Sequence, residues 1–217
     1  MSFVLGCLSL AGLHALGRPH PIFLPGCDNQ TAAWGTLRTL VTSEAQFQSA
    51  CIVDQDGDKI GEFGFLQELS GTAPPRGQTQ PTSPAFITSV MGTTALDNGG
   101  IAGKTGYNFA LYLPDGKGGW TREASPLLPP DPSTAHAQEK RWIAYAWPAS
   151  FGNSGVPAYA VTEKGVLWGT ANDSSQPYDG MKRVPAADAA FAPGKNDLPA
   201  EFGKPATDGQ IWLPASE

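Results

Sequence analysis

The chain is predicted to fold as an α+β domain, with an N-terminal α-helix packed on an antiparallel β-sheet, an extended arm before the helix and an irregular tail after the sheet. Three observations predict this. Apolar side chains recur at helical spacing from about residue 34, segments after residue 106 alternate in twos, and short glycine-containing turns join those segments.

Asp28 or Asn29 supplies a capping side chain for the helix. From there Trp34, Leu37, Leu40, Val41, Glu44, Phe47 and Cys51 share one face, which predicts a helix to about Cys51 whose apolar side lies on the sheet. Thr39, Ser43, Gln46 and Gln48 are expected on its solvated surface. EFGFLQELSG, residues 62–71, reads as a short helix ended by Gly71, and TAPPRGQTQPTSP, residues 72–84, as a loop. FITSVMG, residues 86–92, is a short apolar turn or helix.

In YNFALYL, residues 107–113, Tyr107, Phe109, Leu111 and Leu113 alternate with Asn108, Ala110 and Tyr112, the pattern of a strand. Asp115 to Gly119 is a turn. RWIAYAWP, residues 141–148, and PAYAVTEKGVLWGTA, residues 157–171, continue the sheet, the second reversing at Glu163-Lys164-Gly165. The resulting divisions are an apolar arm and proline-rich connector over 1–28, a head over 29–171, and a tail over 172–217 where periodicity fades. The tail is expected to wrap on the head or reach a neighbour.

With 217 residues, 26 glycines and 20 prolines, the chain is long enough for a core and rich in loops. Its net charge of −6 and the absence of any basic run longer than Lys140-Arg141 or Lys182-Arg183 argue against a nucleic-acid partner.

Residues 1–17, MSFVLGCLSLAGLHALG, are apolar and uncharged but shorter than the ~20 residues of a membrane-spanning helix. They read as an arm that contacts a membrane or partner, or as the remnant of a signal. Val4-Leu5-Gly6-Cys7 resembles the lipobox preceding a lipidated cysteine, which makes Cys7 a lipidation candidate. Cys27 and Cys51 can pair as a disulfide in an oxidising compartment; three buried thiols are the alternative.

DQDGDKIGE, residues 54–62, is the most chemically loaded stretch. Asp54, Asp56, Asp58 and Glu62 offer hard oxygen ligands at a spacing that can wrap a calcium ion. An EF-hand would need glycine and glutamate where Lys59 and Phe65 stand, so the competing reading is a helix-terminating turn with aspartates bonded to nearby amides.

The three histidines are His14 and His20 in the arm and His136 in a loop, which offers no nucleophile–histidine pairing, no Cys-x-x-Cys or His-x-x-x-His pair suggests zinc, and His136 reads as a surface residue. Gly99 to Thr105 ends like a phosphate loop, but Asn98 replaces the first glycine, so a turn is expected. Trp120, Trp142, Trp147 and Trp168, with Tyr107, Tyr112, Tyr145 and Tyr159, gather on the sheet. Core packing accounts for most of them, and those on the outer face could meet a partner or glycan.

Taken in order, TLRTLVTSEAQFQSACIVDQDGDKIGEFGFLQELSG, KTGYNFALYLPD and RWIAYAWPASFGNSGVPAYAVTEKGVLW resemble the globular head of a bacterial type IV pilin or pseudopilin. In that family a helix leads into an acidic Asp-Gly segment ending near Glu-Phe/Tyr-Gly, followed by a Gly-Tyr-x-Phe strand, an Ala-x-Pro strand and a hairpin. The prepilin cleavage motif and the long apolar helix of the family are missing before residue 30. The resemblance implies the head fold, a periplasmic or cell-surface location with membrane association, and a noncatalytic structural or accessory role among the protein subunits of a larger envelope complex. The neighbouring readings are a pilin or pseudopilin of a pilus or secretion system and a calcium-stabilised binding module.

Overall fold

Helix α1 (Asp28–Ser49) buries Ala33, Thr36, Leu37, Leu40, Ser43, Glu44 and Phe47, one stripe at the three-and-four spacing that a helix brings to a single face. The computed structural model describes residues 28–123, 132–195, 198 and 203–215. The arm, with Cys7 and Cys27, lies outside the described residues, so the proposed Cys27–Cys51 pairing is not addressed; Cys51 itself is exposed. Ser43 departs from the expected solvated position. It is buried, and its hydroxyl donates to the Phe86 carbonyl at 2.9 Å, which lets a polar residue sit on the packed face.

Two short helices follow, α2 (Leu66–Leu69) and α3 (Ser89–Asp97). The strands are β1 (Ile101–Lys104), β2 (Tyr107–Pro114), β3 (Trp120–Arg122), β4 (Ile143–Pro148), β5 (Ala158–Thr162), β6 (Leu167–Thr170) and β7 (Leu213–Pro214), with helix α4 (Pro132–Gln138) between β3 and β4. All pairings are antiparallel in the order β1-β2-β4-β5-β6-β7, and β3 shares with β1 one edge of β2. The chain is therefore an α+β fold with a seven-stranded antiparallel sheet. Gly99 to Thr105 is not simply a turn, because Ile101 to Lys104 pair with Ala110 to Tyr107 as a strand. Among the described residues no helix is long and apolar enough to cross a membrane.

Register alternates large and small side chains across the sheet. Phe109, Ala146 and Tyr159 form one row on the face toward α1, α2 and α3, and Ala110, Tyr145, Ala160 and Trp168 form the adjacent row on the opposite face. Within these rows aromatic rings stand beside alanine methyls, while Tyr107 meets Tyr159 and Tyr112 meets Tyr145 with ring centroids 6.0 and 6.2 Å apart, filling a dense core.

The second face is covered as well. Tyr178, Ala189, Ala190, Phe191, Leu198, Ala206 and Trp212, all after residue 172, pack on Tyr112, Ile143, Tyr145, Trp147, Ala158 and Ala160. Three outer aromatics use their polar tips to hold that layer. Tyr112 donates to the Pro185 carbonyl at 2.7 Å, Tyr145 to that of Ala187 at 2.9 Å, and Trp147 Nε1 to that of Gly180 at 2.7 Å. Tyr112, Tyr145 and Trp147 therefore offer no exposed surface to a partner or glycan; Trp120 and Trp168 are only partly buried.

Candidate functional site

The acidic stretch forms the return from α1 to the sheet. Asp54 accepts from the Gly57 amide at 2.9 Å through Oδ1 and from the Lys59 amide at 3.2 Å through Oδ2. Asp56 accepts from Asp58 N and Asp58 from Ile60 N, at 3.3 and 2.8 Å. These are the local side-chain-to-backbone bonds that aspartate makes in turns. Gly57 adopts φ +76°, and a Cβ at Gly61 would run into the Gln48 carbonyl at the end of α1, so both glycines are required by the tight return.

Below the loop, Glu62-Phe63-Gly64-Phe65 has its backbone held largely by side chains. Gly64 N donates to Glu44 Oε2 and Phe65 N to Glu68 Oε2, both at 2.8 Å, and the Arg76 guanidinium donates to the Phe63 carbonyl. Phe63 N itself donates to the Gln138 carbonyl at 3.0 Å. Arg76 also pairs with Glu68 at 2.9 Å, bonds Gln138 Oε1, and lies over the Phe65 ring. Glu123 accepts from Gln67 N and Nε2 at 3.2 and 3.0 Å. An irregular segment can be buried here because these partners replace the ladder it lacks.

Burial raises the proton affinity of two of these carboxyls, Glu44 and Glu123. Burial drives Glu44 well above the usual range, against a smaller opposing effect of the Gly64 amide. Burial likewise lifts Glu123 from 4.5 to about 7, although Gln67 donates to it. The folded state therefore keeps protons that the unfolded chain releases. Their stabilisation is complete below about pH 4.5 and falls as pH rises toward 7 and beyond, by up to about 3 kcal/mol for Glu123. Glu44→Gln preserves an oxygen for Gly64 N and removes the acid, and Glu44 Oε1 has no partner to lose. Denaturant melts should show the variant matching the parent at pH 5 and exceeding it at pH 8; a parent whose stability climbs steadily from pH 5 to 8 would refute buried protonated carboxyls.

The residues expected to bind calcium do not stay together. Both Asp54 oxygens serve backbone amides, and Glu62 is buried with Oε1 accepting from Gln55 N at 2.8 Å. Asp56 and Asp58 instead meet His136 of α4 and Glu139 just after it, with one donor atom from each of the four within 4.8 Å of the others. His136 Nδ1 lies 3.1 Å from Glu139 Oε2, and His136 Nε2 lies 2.6 Å from Lys140 Nζ. Burial, then the charges of Asp58 and Asp56, push the Glu139 carboxyl up. His136 is exposed, as expected, but it belongs to a helix, and it also borders an open depression of about 340 Å³ with Pro114, Trp120, Lys140 and Arg141.

Glu139 and His136 were not identified from sequence. Pro132 at a helix start, followed by Ala135, His136, Gln138 and Glu139 at helical spacing, was the available signal for α4. Nothing local to either segment announces that they meet. No protein-family model matches the chain, and no curated protein or solved structure matches it.

Proposed function

We propose that the chain is a noncatalytic structural or accessory subunit of a bacterial cell-envelope assembly, built on a pilin-like head. The observation that carries this reading is the junction between helix and sheet. An amphipathic α1 runs into an Asp-Gly loop, and Glu44 of that helix holds the amide of the Glu-Phe-Gly segment that leads on to the antiparallel strands. That sequence of parts is the one on which the resemblance to type IV pilin and pseudopilin heads rests.

With Tyr112, Tyr145 and Trp147 buried, association falls to residues 1–17 and to the outer side of the C-terminal layer, where Met181 and Ile211 are 56% and 44% exposed. The location is periplasmic or at the cell surface. A pilin or pseudopilin of a pilus or secretion system is the closest alternative, and a prepilin leader encoded upstream would favour it.

Photo-crosslinking side chains placed at Met181 and Ile211 in the native bacterium test the proposal. Discrete products with the same envelope protein are expected from both positions. Absence of any product at both, with the protein present in the envelope, would count against a docking role for this layer.

A further inference from the structure

We infer that Asp56, Asp58, His136 and Glu139 bind one divalent first-row transition ion, zinc being the best match, and that the ion ties the loop after α1 to helix α4. One donor atom from each of the four residues lies within 4.8 Å of the other three. Acidic clusters often occur without an ion, and the second observation here is Glu139. It is 6% exposed, its Oε2 faces His136 Nδ1 and its Oε1 has no hydrogen-bond partner. A buried carboxylate oxygen without a donor is costly, and a cation held by both oxygens of Glu139 supplies what Oε1 is missing.

One ligand pair already stands at the spacing the ion needs. Two ligands about 2.1 Å from zinc and about 90–110° apart stand about 3.0–3.4 Å from each other. His136 Nδ1 and Glu139 Oε2 are 3.1 Å apart. Asp56 and Asp58 are exposed on the loop, and each spends only Oδ1 on a turn amide, so Oδ2 of each is the oxygen offered to the ion. The present contacts fit a neutral imidazole protonated at Nδ1, donating to Glu139 and accepting from Lys140 at Nε2. Metal at Nδ1 moves that proton to Nε2, and the exposed Lys140 ammonium gives up its place.

The donor set separates this site from a calcium loop. Calcium takes about 6–8 oxygen ligands, whereas a single imidazole among carboxylates suits zinc or a neighbouring transition ion. Both oxygens of Asp54, which would extend an all-oxygen shell, accept from the amides of Gly57 and Lys59, and Glu62 Oε1 accepts from that of Gln55.

The test is calorimetric titration of the full chain, stripped with chelator, using zinc alone and calcium alone, with thermal melts alongside. One zinc per chain and a raised melting temperature are expected, with weaker binding of calcium. His136→Ala should weaken zinc at least about tenfold while leaving calcium unchanged, a split that a purely structural role for His136 would not produce. Glu139→Gln should lower zinc affinity similarly; since Glu139 is buried, the exposed Asp56→Asn provides the same reading if that variant fails to fold. Zinc binding that survives both His136→Ala and Asp56→Asn, or calcium binding tighter than zinc, would overturn the assignment.

Discussion

Arg76→Met should destabilise the protein by about 3–5 kcal/mol, the range for removing one partner of a buried ion pair. Arg76 is 2% exposed and is the cation at the centre of a cluster in which Glu44, Glu68 and Glu123 are all buried. Methionine fills much of the side-chain volume but leaves Glu68 without its ionic partner, Gln138 Oε1 without its guanidinium donor, and the Phe63 carbonyl unsatisfied. Because that carbonyl belongs to the segment linking α1 to the sheet, the damage spreads beyond one contact. Arg76→Lys retains charge but not the planar fork that serves three acceptors, so it should fall between parent and methionine. A fall in melting temperature of about 6–20 °C for Arg76→Met at pH 7 is expected. A change within 2 °C would mean that the network contributes little.

Trp212→Ala should cost a comparable amount, about 3–5 kcal/mol, by emptying a large site in a dense core. Trp212 is fully buried, its ring meets Tyr145 edge-on with centroids 5.8 Å apart, and its Nε1 donates to Asp208 Oδ2 at 3.1 Å. Tyr178 donates to that same oxygen at 2.6 Å, so Asp208 joins two aromatic side chains that seal the outer face. Trp212→Phe keeps an aromatic ring and loses the indole bond, for which about 1 kcal/mol is expected. Limited proteolysis distinguishes the two variants. Trp212→Ala should open cleavage sites between residues 172 and 215, whereas Trp212→Phe should be cut like the parent; equal resistance in all three would show that the C-terminal layer does not depend on this anchor.

The elements legible in the sequence were those whose periodicity survives tertiary packing. Leu37, Leu40, Glu44 and Phe47 mark α1, and the alternation of Tyr107, Phe109, Leu111 and Leu113 marks β2, because each buries one regular face. β1 was hidden by Gly100 and Gly103, which read as a turn although Ile101 and Ala102 are buried within a strand. The second core was half visible. Tyr145 and Trp147 point away from α1, which signals burial on both faces of β4, yet the covering residues from 178 to 212 have no period to betray them. They are held by tyrosine and tryptophan tips bonded to irregular backbone, a contact that leaves no local pattern.

The site divides the same way. Asp56 and Asp58 were legible because acidic residues and glycines crowd nine positions, while His136 and Glu139 come from helix α4 and the residue just after it, some 80 residues downstream. The buried carboxyls were equally hidden, since Glu44 looks like a polar residue on a helix and only the fold reveals that it faces Gly64.

The central proposal, that this protein serves as a structural subunit of an envelope assembly, is tested most directly by its native mass after gentle detergent extraction from the cells that make it. A complex larger than one chain, containing a fixed set of partner subunits in constant ratio, is the expected result. Recovery as a lone monomer, free of the envelope fraction, would contradict it.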